Sequence, residues 1–125
     1  PFMDRMDLSI MVKRVESSLL VDGEHSEPSE AVRERVTMAR EVQARRFRGS
    51  GIYTNSRMSS TMCEEICVPD SQGKDFLKRL IDRYSLSARG YQRILRVSRT
   101  IADLEGAEQI GSAHIAEAAQ FRFRF

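Results

Sequence analysis

Residues 86–106 carry hydrophobic and polar positions that repeat with the period of an α-helix. At about 100° per residue, one face of this helix is apolar and the opposite face is basic. The apolar face holds Tyr91, Ile94, Leu95, Ser98, Ile101 and Ala102, and the basic face holds Arg89, Arg93, Arg96 and Arg99. Because Ser87 suits an N-cap and Gly106 suits a C′ position, the pattern predicts one helix between them.

Four further segments have helical patterns, at about 29–47, 59–67, 71–84 and after Ser112. The first has an apolar face of Val32, Val36, Ala39, Val42 and Phe47. The third has a stripe of Phe76, Leu77, Leu80, Ile81 and Tyr84, and the last contributes Ile115, Ala116, Ala119 and Phe121. Since short loops join these segments, the chain from Ser29 onward is predicted to form a helical bundle.

Several polar residues mark the expected helix ends. Ser29 is the predicted cap of the first helix, Thr61 and Glu64 have the spacing of a capping box, and Asp70 precedes the third predicted segment. The first helix closes on a basic cluster of Arg45, Arg46 and Arg48. Cations in a last turn complement the helix dipole, so a structural role for this cluster is favoured over phosphate binding.

The first residues alternate in a different way. Met6, Leu8, Ile10 and Val12 are separated by Asp7, Ser9 and Met11, which is the period of a β-strand. No second strand follows, and a lone strand cannot satisfy its own backbone groups. We therefore expect the partners of this strand to come from another chain or from residues upstream of Pro1, and we expect a boundary between residues 1–28 and a helical domain of residues 29–125.

Composition narrows the class of protein. The 125 residues have a net charge of +2, and their basic residues are mostly arginine, a bias that suits bidentate contacts to anions but also arises from a GC-rich genome. No signal peptide or long apolar run is present, so we expect a cytoplasmic protein without a membrane segment. Cys63 and Cys67 lack the further ligands that zinc requires, and we expect no metal site.

Arg89 is the first candidate for chemistry. It falls in the first turn of its predicted helix, where the dipole favours anions, so a bound phosphate would explain an arginine there. From spacing alone, a solvated surface side chain is the simpler interpretation. No phosphate-binding loop, metal-binding Asp-Glu strand or nucleophile elbow occurs, so the chain alone is predicted to have no catalytic activity.

The tail, residues 121–125, alternates phenylalanine and arginine. This pattern fits a short strand, a surface on which bases stack, or a frayed end.

Four motifs resemble one family. They are Asp-Arg-Met-Asp-Leu at residues 4–8, Glu-Arg-Val at 34–36, and Leu-Ser-Ala-Arg at 86–89 together with Arg-Thr-Ile-Ala-Asp-Leu at 99–104. The chain thereby resembles the C-terminal part of the magnesium-chelatase-like AAA+ ATPases of the bacterial competence protein ComM type. The resemblance covers nearly the whole chain, and it implies a helical lid that follows the last strand of a nucleotide-binding core.

The resemblance also implies roles for two arginines. Arg5 matches the arginine finger, which reaches the γ-phosphate held by a neighbouring subunit, and Arg89 matches the sensor-2 arginine, which contacts the bound nucleotide. The parent protein is then expected to bind ATP and Mg²⁺, with neither retained by this segment alone. The resemblance also implies that the parent protein forms a ring, expected to be a hexamer, and acts on DNA.

Two alternatives remain at this stage. The segment could instead be the lid of a subunit that inserts magnesium into porphyrin, which is an activity of the same family. It could also be a stand-alone helical module that binds nucleic acid or protein, in which case its affinity for DNA would fall steeply with salt.

Overall fold

The computed structural model describes residues 5–12, 14, 16, 17, 21 and 27–123. Within residues 27–123, five α-helices and one short 3₁₀ helix (Asn55–Arg57) follow one another: α1 (Ser29–Arg46), α2 (Ser60–Ile66), α3 (Ser71–Tyr84), α4 (Ala88–Glu105) and α5 (Ser112–Arg122). The fold is mainly helical, as predicted, and agrees with a lid domain. None of the helices in the described part has the length and hydrophobicity needed to cross a bilayer.

The predicted ends of α4 and the start of α3 are confirmed. The Ser87 hydroxyl accepts a hydrogen bond from the Gly90 N–H at 3.0 Å, and the Asp70 carboxylate accepts one from the Gly73 N–H at 2.8 Å. These bonds satisfy backbone donors that have no partner within the helix. Gly106 ends α4 with a φ of 79°, a left-handed conformation that glycine adopts without a Cβ penalty.

Two other predicted capping interactions are wrong, although both helices begin within one residue of their predicted starts. Ser29 is the first residue of α1, and no side chain caps that end. The capping box of Thr61 and Glu64 does not form, because the Ser59 hydroxyl accepts the hydrogen bond from the Met62 N–H at 3.2 Å. Serine and threonine have similar capping preferences, so a run of such residues leaves the boundary uncertain by one or two positions.

The hydrophobic core surrounds α4, which packs against α1, α2 and α5, while α5 also packs against α3. The predicted faces of α3, α4 and α5 supply most of it. Its buried members include Leu77, Leu80, Ile94, Leu95, Ala102, Ile115, Ala118 and Ala119. A backbone bridge between Pro69 and Ile110 joins the loops that precede α3 and α5. Helix α4, whose periodicity is the clearest in the sequence, is therefore the centre of the bundle.

Helix α1 departs from its predicted face. Ala39 and Phe47 are buried, but Val32 and Val36 are 40% and 42% exposed. Gln43, a polar residue, is buried instead because its side-chain oxygen accepts a hydrogen bond from the backbone N–H of Asn55 at 3.0 Å. Only the C-terminal half of α1 therefore packs against the bundle.

The N-terminal strand is not confirmed. Met6, Leu8, Ile10 and Val12 are exposed and form no β-ladder with any described residue. A strand exists only with a partner, and the described part of the chain offers none. Residues 1–4, 13, 15, 18–20 and 22–26 lie outside the described residues, so the division at residues 28 and 29 stays a prediction.

The tail extends the last helix. Arg122 is the final residue of α5, and the Phe123 ring stacks on Tyr84 with centroids 4.0 Å apart. The described residues 121–123 therefore form no strand, and the Phe123 ring already has an aromatic partner, while the frayed end stays a prediction. Residues 124–125 lie outside the described residues.

Candidate functional site

Arg89 lies where the sequence predicts it. It is the second residue of α4, its side chain is exposed, and it makes no hydrogen bond or ion pair with the described residues. The first turn of a helix presents backbone N–H groups without acceptors and the positive end of the dipole. An arginine there adds a guanidinium to an environment that already favours anions. This end of α4 therefore combines three features that favour an anion: free backbone N–H groups, the helix dipole and an exposed guanidinium.

A second guanidinium lies beside the same turn. Gly90 is buried, and a Cβ built on it would lie 2.9 Å from a terminal nitrogen of Arg122. A glycine here costs about 1 kcal/mol of helix propensity relative to alanine. With no side chain at position 90, the Arg122 guanidinium packs directly against this turn. Neither residue was singled out for this contact from the sequence, since they lie far apart along the chain.

Arg5 is exposed and belongs to a segment that contacts α4 and α5. Two residues after it, Asp7 forms an ion pair with Arg93 of α4. Arg93 follows Arg89 by four residues, which is about one helical turn. Asp7 therefore pairs with Arg93 rather than with Arg5, and the structure attaches the Arg5 segment one turn from Arg89. Residue 4 lies outside the described residues.

Three of the four arginines on the predicted basic face of α4 are engaged within the fold, and one of them, Arg99, pairs with Asp103 on the same helix. Arg93 pairs with Asp7, and Arg96 donates a hydrogen bond to the Met58 carbonyl at 3.0 Å. Arg99 is only 5% exposed and donates to two carbonyls of the loop between α4 and α5. Neighbouring segments cover the side of α4 that helical periodicity places in water. Of the four, only Arg89 is exposed.

Asp103 is the centre of a buried polar network. Its carboxylate receives two hydrogen bonds from Arg46, at 2.6 and 2.8 Å, one from Asn55 at 2.9 Å and one from Arg99 at 3.2 Å. The Asp103 side chain is 1% exposed. Bidentate arginine–carboxylate contacts of this kind are strong and geometrically specific. The network joins the end of α1, the 3₁₀ helix and α4.

Charge within this network is not balanced. Arg46 and Arg99 are two cations around the single carboxylate of Asp103. Burial lowers the pKa of Arg99, and the adjacent Asp103 carboxylate opposes that shift. Arg46 belongs to the basic cluster at the end of α1, so the structure supports the structural role predicted for that residue.

The two cysteines are packed into the core, as predicted. Cys63 and Cys67 are 0% and 2% exposed, and the Cys67 sulfur lies 3.9 Å from the Met58 sulfur. The pKa of the Cys67 thiol is raised, mainly by its hydrogen bond with Cys63 and also by burial. Among the described residues, no group of three or more histidine, cysteine or acidic side chains could hold a metal ion.

We expect both thiols to resist modification in the native protein. Buried thiols are reached by a reagent only when the structure opens, so labelling by a disulfide reagent should be at least about 100-fold slower than in the denatured chain. The measurement compares labelling rates with and without denaturant. Native labelling at the rate of a free thiol would contradict this packing.

Comparison with known proteins places the helical part of the chain in a family. The family model for the C-terminal region of magnesium chelatase subunit ChlI matches residues 26–122. Competence protein ComM of Haemophilus influenzae is 42% identical over 98% of this chain, and this chain covers 23% of that relative. An uncharacterized protein of Mycobacterium tuberculosis is 36% identical, and the uncharacterized protein YifB of Escherichia coli is 33% identical.

These matches cover the described helices almost completely. The chain spans about a quarter of the length of these relatives, with coverages of 23% and 24%. The matched region begins shortly before α1 and ends with the last residue of α5. The chain therefore belongs to the magnesium chelatase ChlI C-terminal family and is a C-terminal segment of the ComM type.

Proposed function

We propose that this chain is the lid segment of a ComM-like AAA+ ATPase and that Arg89 binds a phosphate of the nucleotide. One observation carries the proposal: of the four arginines along α4, Arg89 alone is exposed and has no described partner. A side chain committed to the fold cannot move onto a ligand without losing its own contacts. Arg89 has no such contacts to lose, and it lies at a helix end that favours anions.

Arg5 is the second proposed site residue. As an arginine finger, it would act in trans on the γ-phosphate bound by a neighbouring subunit and stabilise charge on the transferring phosphoryl group. Its exposure leaves the guanidinium available to another subunit. The proposal includes residues 1–28 as part of the ATPase core and residues 29–125 as the lid.

The wider assembly follows from the same proposal. The parent protein would bind ATP and Mg²⁺ in its core and form a ring, expected to be hexameric, in the cytoplasm. We propose that this ring acts on DNA, as the family resemblance implies. The segment itself carries two arginines of the site and none of the residues that would hold the metal.

The alternative is a subunit that inserts magnesium into porphyrin. It has some support, because the matching family is named after magnesium chelatase. Both proteins would hydrolyse ATP, so turnover does not separate them. The test is to supply the parent protein with chelatase partner subunits and a porphyrin. Insertion of magnesium would support the alternative, whereas DNA-stimulated ATP turnover without insertion would support the proposal.

A stand-alone DNA-binding module has less support. Arg93, Arg96 and Arg99 are engaged within the fold and cannot form a continuous basic surface. The discriminating measurement is fluorescence anisotropy with the isolated chain at low salt. Salt-dependent DNA binding by that chain would favour the module.

Replacing Arg89 with alanine in the parent protein should lower ATP turnover by about 100-fold, because one preorganised contact to the transferred phosphate is lost. The fold should remain intact, since the side chain is exposed and forms no hydrogen bond or ion pair with the described residues. Steady-state kinetics measures turnover, and circular dichroism checks the helices. Arg33→Ala removes another exposed helical arginine and is the matched control. Turnover by Arg89→Ala equal to that of the control would contradict the assignment.

A further inference from the structure

Two contacts attach the N-terminal segment to the bundle. The Asp7 carboxylate pairs with the Arg93 guanidinium on α4. The Ser9 N–H donates a hydrogen bond of 2.7 Å to the carbonyl of Phe121, near the end of α5. These anchors are two residues apart in the segment and reach two different helices that pack against each other. Together they restrict both the position and the direction of the backbone that follows Arg5.

The Asp7–Arg93 ion pair is more buried on its arginine side than an ordinary surface ion pair. The Arg93 side chain is 20% exposed, while that of Asp7 is 49% exposed. The Nε atom of Arg93 is buried and has no hydrogen-bond partner among the described residues. Partial burial reduces solvent screening, so a charge partner matters more to this guanidinium than to a fully exposed one. Asp7 is the carboxylate that supplies it.

We infer that Asp7 and Arg93 are positioning residues for Arg5, and this inference rests on the proposed function of Arg5 and Arg89. Arg93 lies one turn after Arg89 on the same rigid helix, and Asp7 lies two residues after Arg5. The pair therefore links the segment that carries the finger to the helix that carries the phosphate-binding arginine. When α4 moves with the nucleotide state, the Arg5 segment moves with it.

The consequence is a specific kinetic effect. Neither Asp7 nor Arg93 needs to touch the nucleotide, so loss of the pair should leave nucleotide binding largely unchanged. It should instead reduce the fraction of time that Arg5 spends in the productive position. A displacement of about 1 Å in a catalytic group can cost about 100-fold in rate.

The experiment uses the full-length ATPase with Asp7→Asn, Arg93→Gln and the charge swap Asp7→Arg with Arg93→Asp. Each single variant should lower kcat by about tenfold, within the range expected for a displaced catalytic group, with KM for ATP changed by less than about twofold. The charge swap should recover most of the lost turnover. Hydrogen exchange of the peptide that contains Ser9 should be faster in both single variants, because a segment released at Asp7 opens more often and breaks the bond from the Ser9 N–H to the Phe121 carbonyl.

A matched control removes an ion pair of the same chemistry elsewhere. Glu27 and Arg35 form an exposed carboxylate–guanidinium pair beside α1. Arg35→Gln should leave kcat and the exchange of the Ser9 peptide unchanged. An equal loss of kcat in Arg35→Gln would show a general effect of charge removal and would overturn the positioning role.

The outcomes separate this inference from the proposed function. If Arg5→Ala loses turnover while Asp7→Asn and Arg93→Gln keep it, the positioning role is wrong and the finger assignment stands. If the single variants lose turnover and the charge swap restores none of it, the role of the pair is likewise wrong. If Arg5→Ala and Arg89→Ala both keep wild-type turnover, the proposed function fails and the inference fails with it.

Discussion

Replacing Arg5 with alanine in the full-length parent protein should lower ATP turnover by about 1,000-fold or more, because the proposed arginine finger would supply that much stabilisation to phosphoryl transfer. Nucleotide binding should be nearly unchanged, since the finger would reach the phosphate from another subunit. Steady-state kinetics and a nucleotide-binding titration measure these two quantities. Arg14→Ala removes another exposed arginine of the same segment and is the control.

Mixed rings test whether Arg5 acts in trans. The Arg5→Ala subunit still binds ATP, and a second variant that cannot bind ATP still carries the finger. Rings made from both should recover turnover, because the intact finger of one subunit faces the nucleotide of the other. Absence of recovery in rings verified to be mixed would contradict action in trans.

Replacing Asp103 with alanine should lower the free energy of unfolding by about 3–5 kcal/mol, because it leaves Arg46 and Arg99 without their buried carboxylate. Such a loss is comparable to a large part of the stability of a small domain. Chemical denaturation followed by circular dichroism measures it. Asp82→Ala, at an exposed position of α3, should change the free energy by less than about 0.5 kcal/mol.

A loss below about 1 kcal/mol in Asp103→Ala would contradict the network, because it would mean that the two arginines are hydrated or paired elsewhere. Full denaturation of the variant would agree with it. In that case Asp103→Asn, which retains one accepting oxygen, should give a smaller loss that can be measured.

The polar network around Asp103 shows what the most specific motif in the chain, residues 99–104, does in the fold. The run of residues 99–104 contains Arg99 and Asp103, which are bonded to each other and buried. Its roles in the fold are to close the loop after α4 and to hold the end of α1 through Arg46. The motif that is most specific to the family therefore has a structural role in the core. The proposed phosphate binding instead involves Arg89, at the other end of the same helix.

The sequence by itself determined the features that depend on neighbours along the chain. The caps formed by Asp70 and Ser87, the left-handed end at Gly106 and the apolar face of α4 were all predicted correctly. Each depends on residues within about one or two helical turns, so local hydrogen bonding and helical periodicity contain the necessary information. The exposure of Arg89 follows from the same periodicity.

Tertiary structure decided which polar residues became part of the fold. Arg99 faces away from the apolar stripe of α4, yet it is buried because the loop after α4 folds over it. The contact between Arg46 and Asp103 joins residues 57 positions apart, and that between Asp7 and Arg93 joins residues 86 positions apart. Periodicity within one helix says nothing about the segments that cover its polar side, so these partners could be known only from the packed structure.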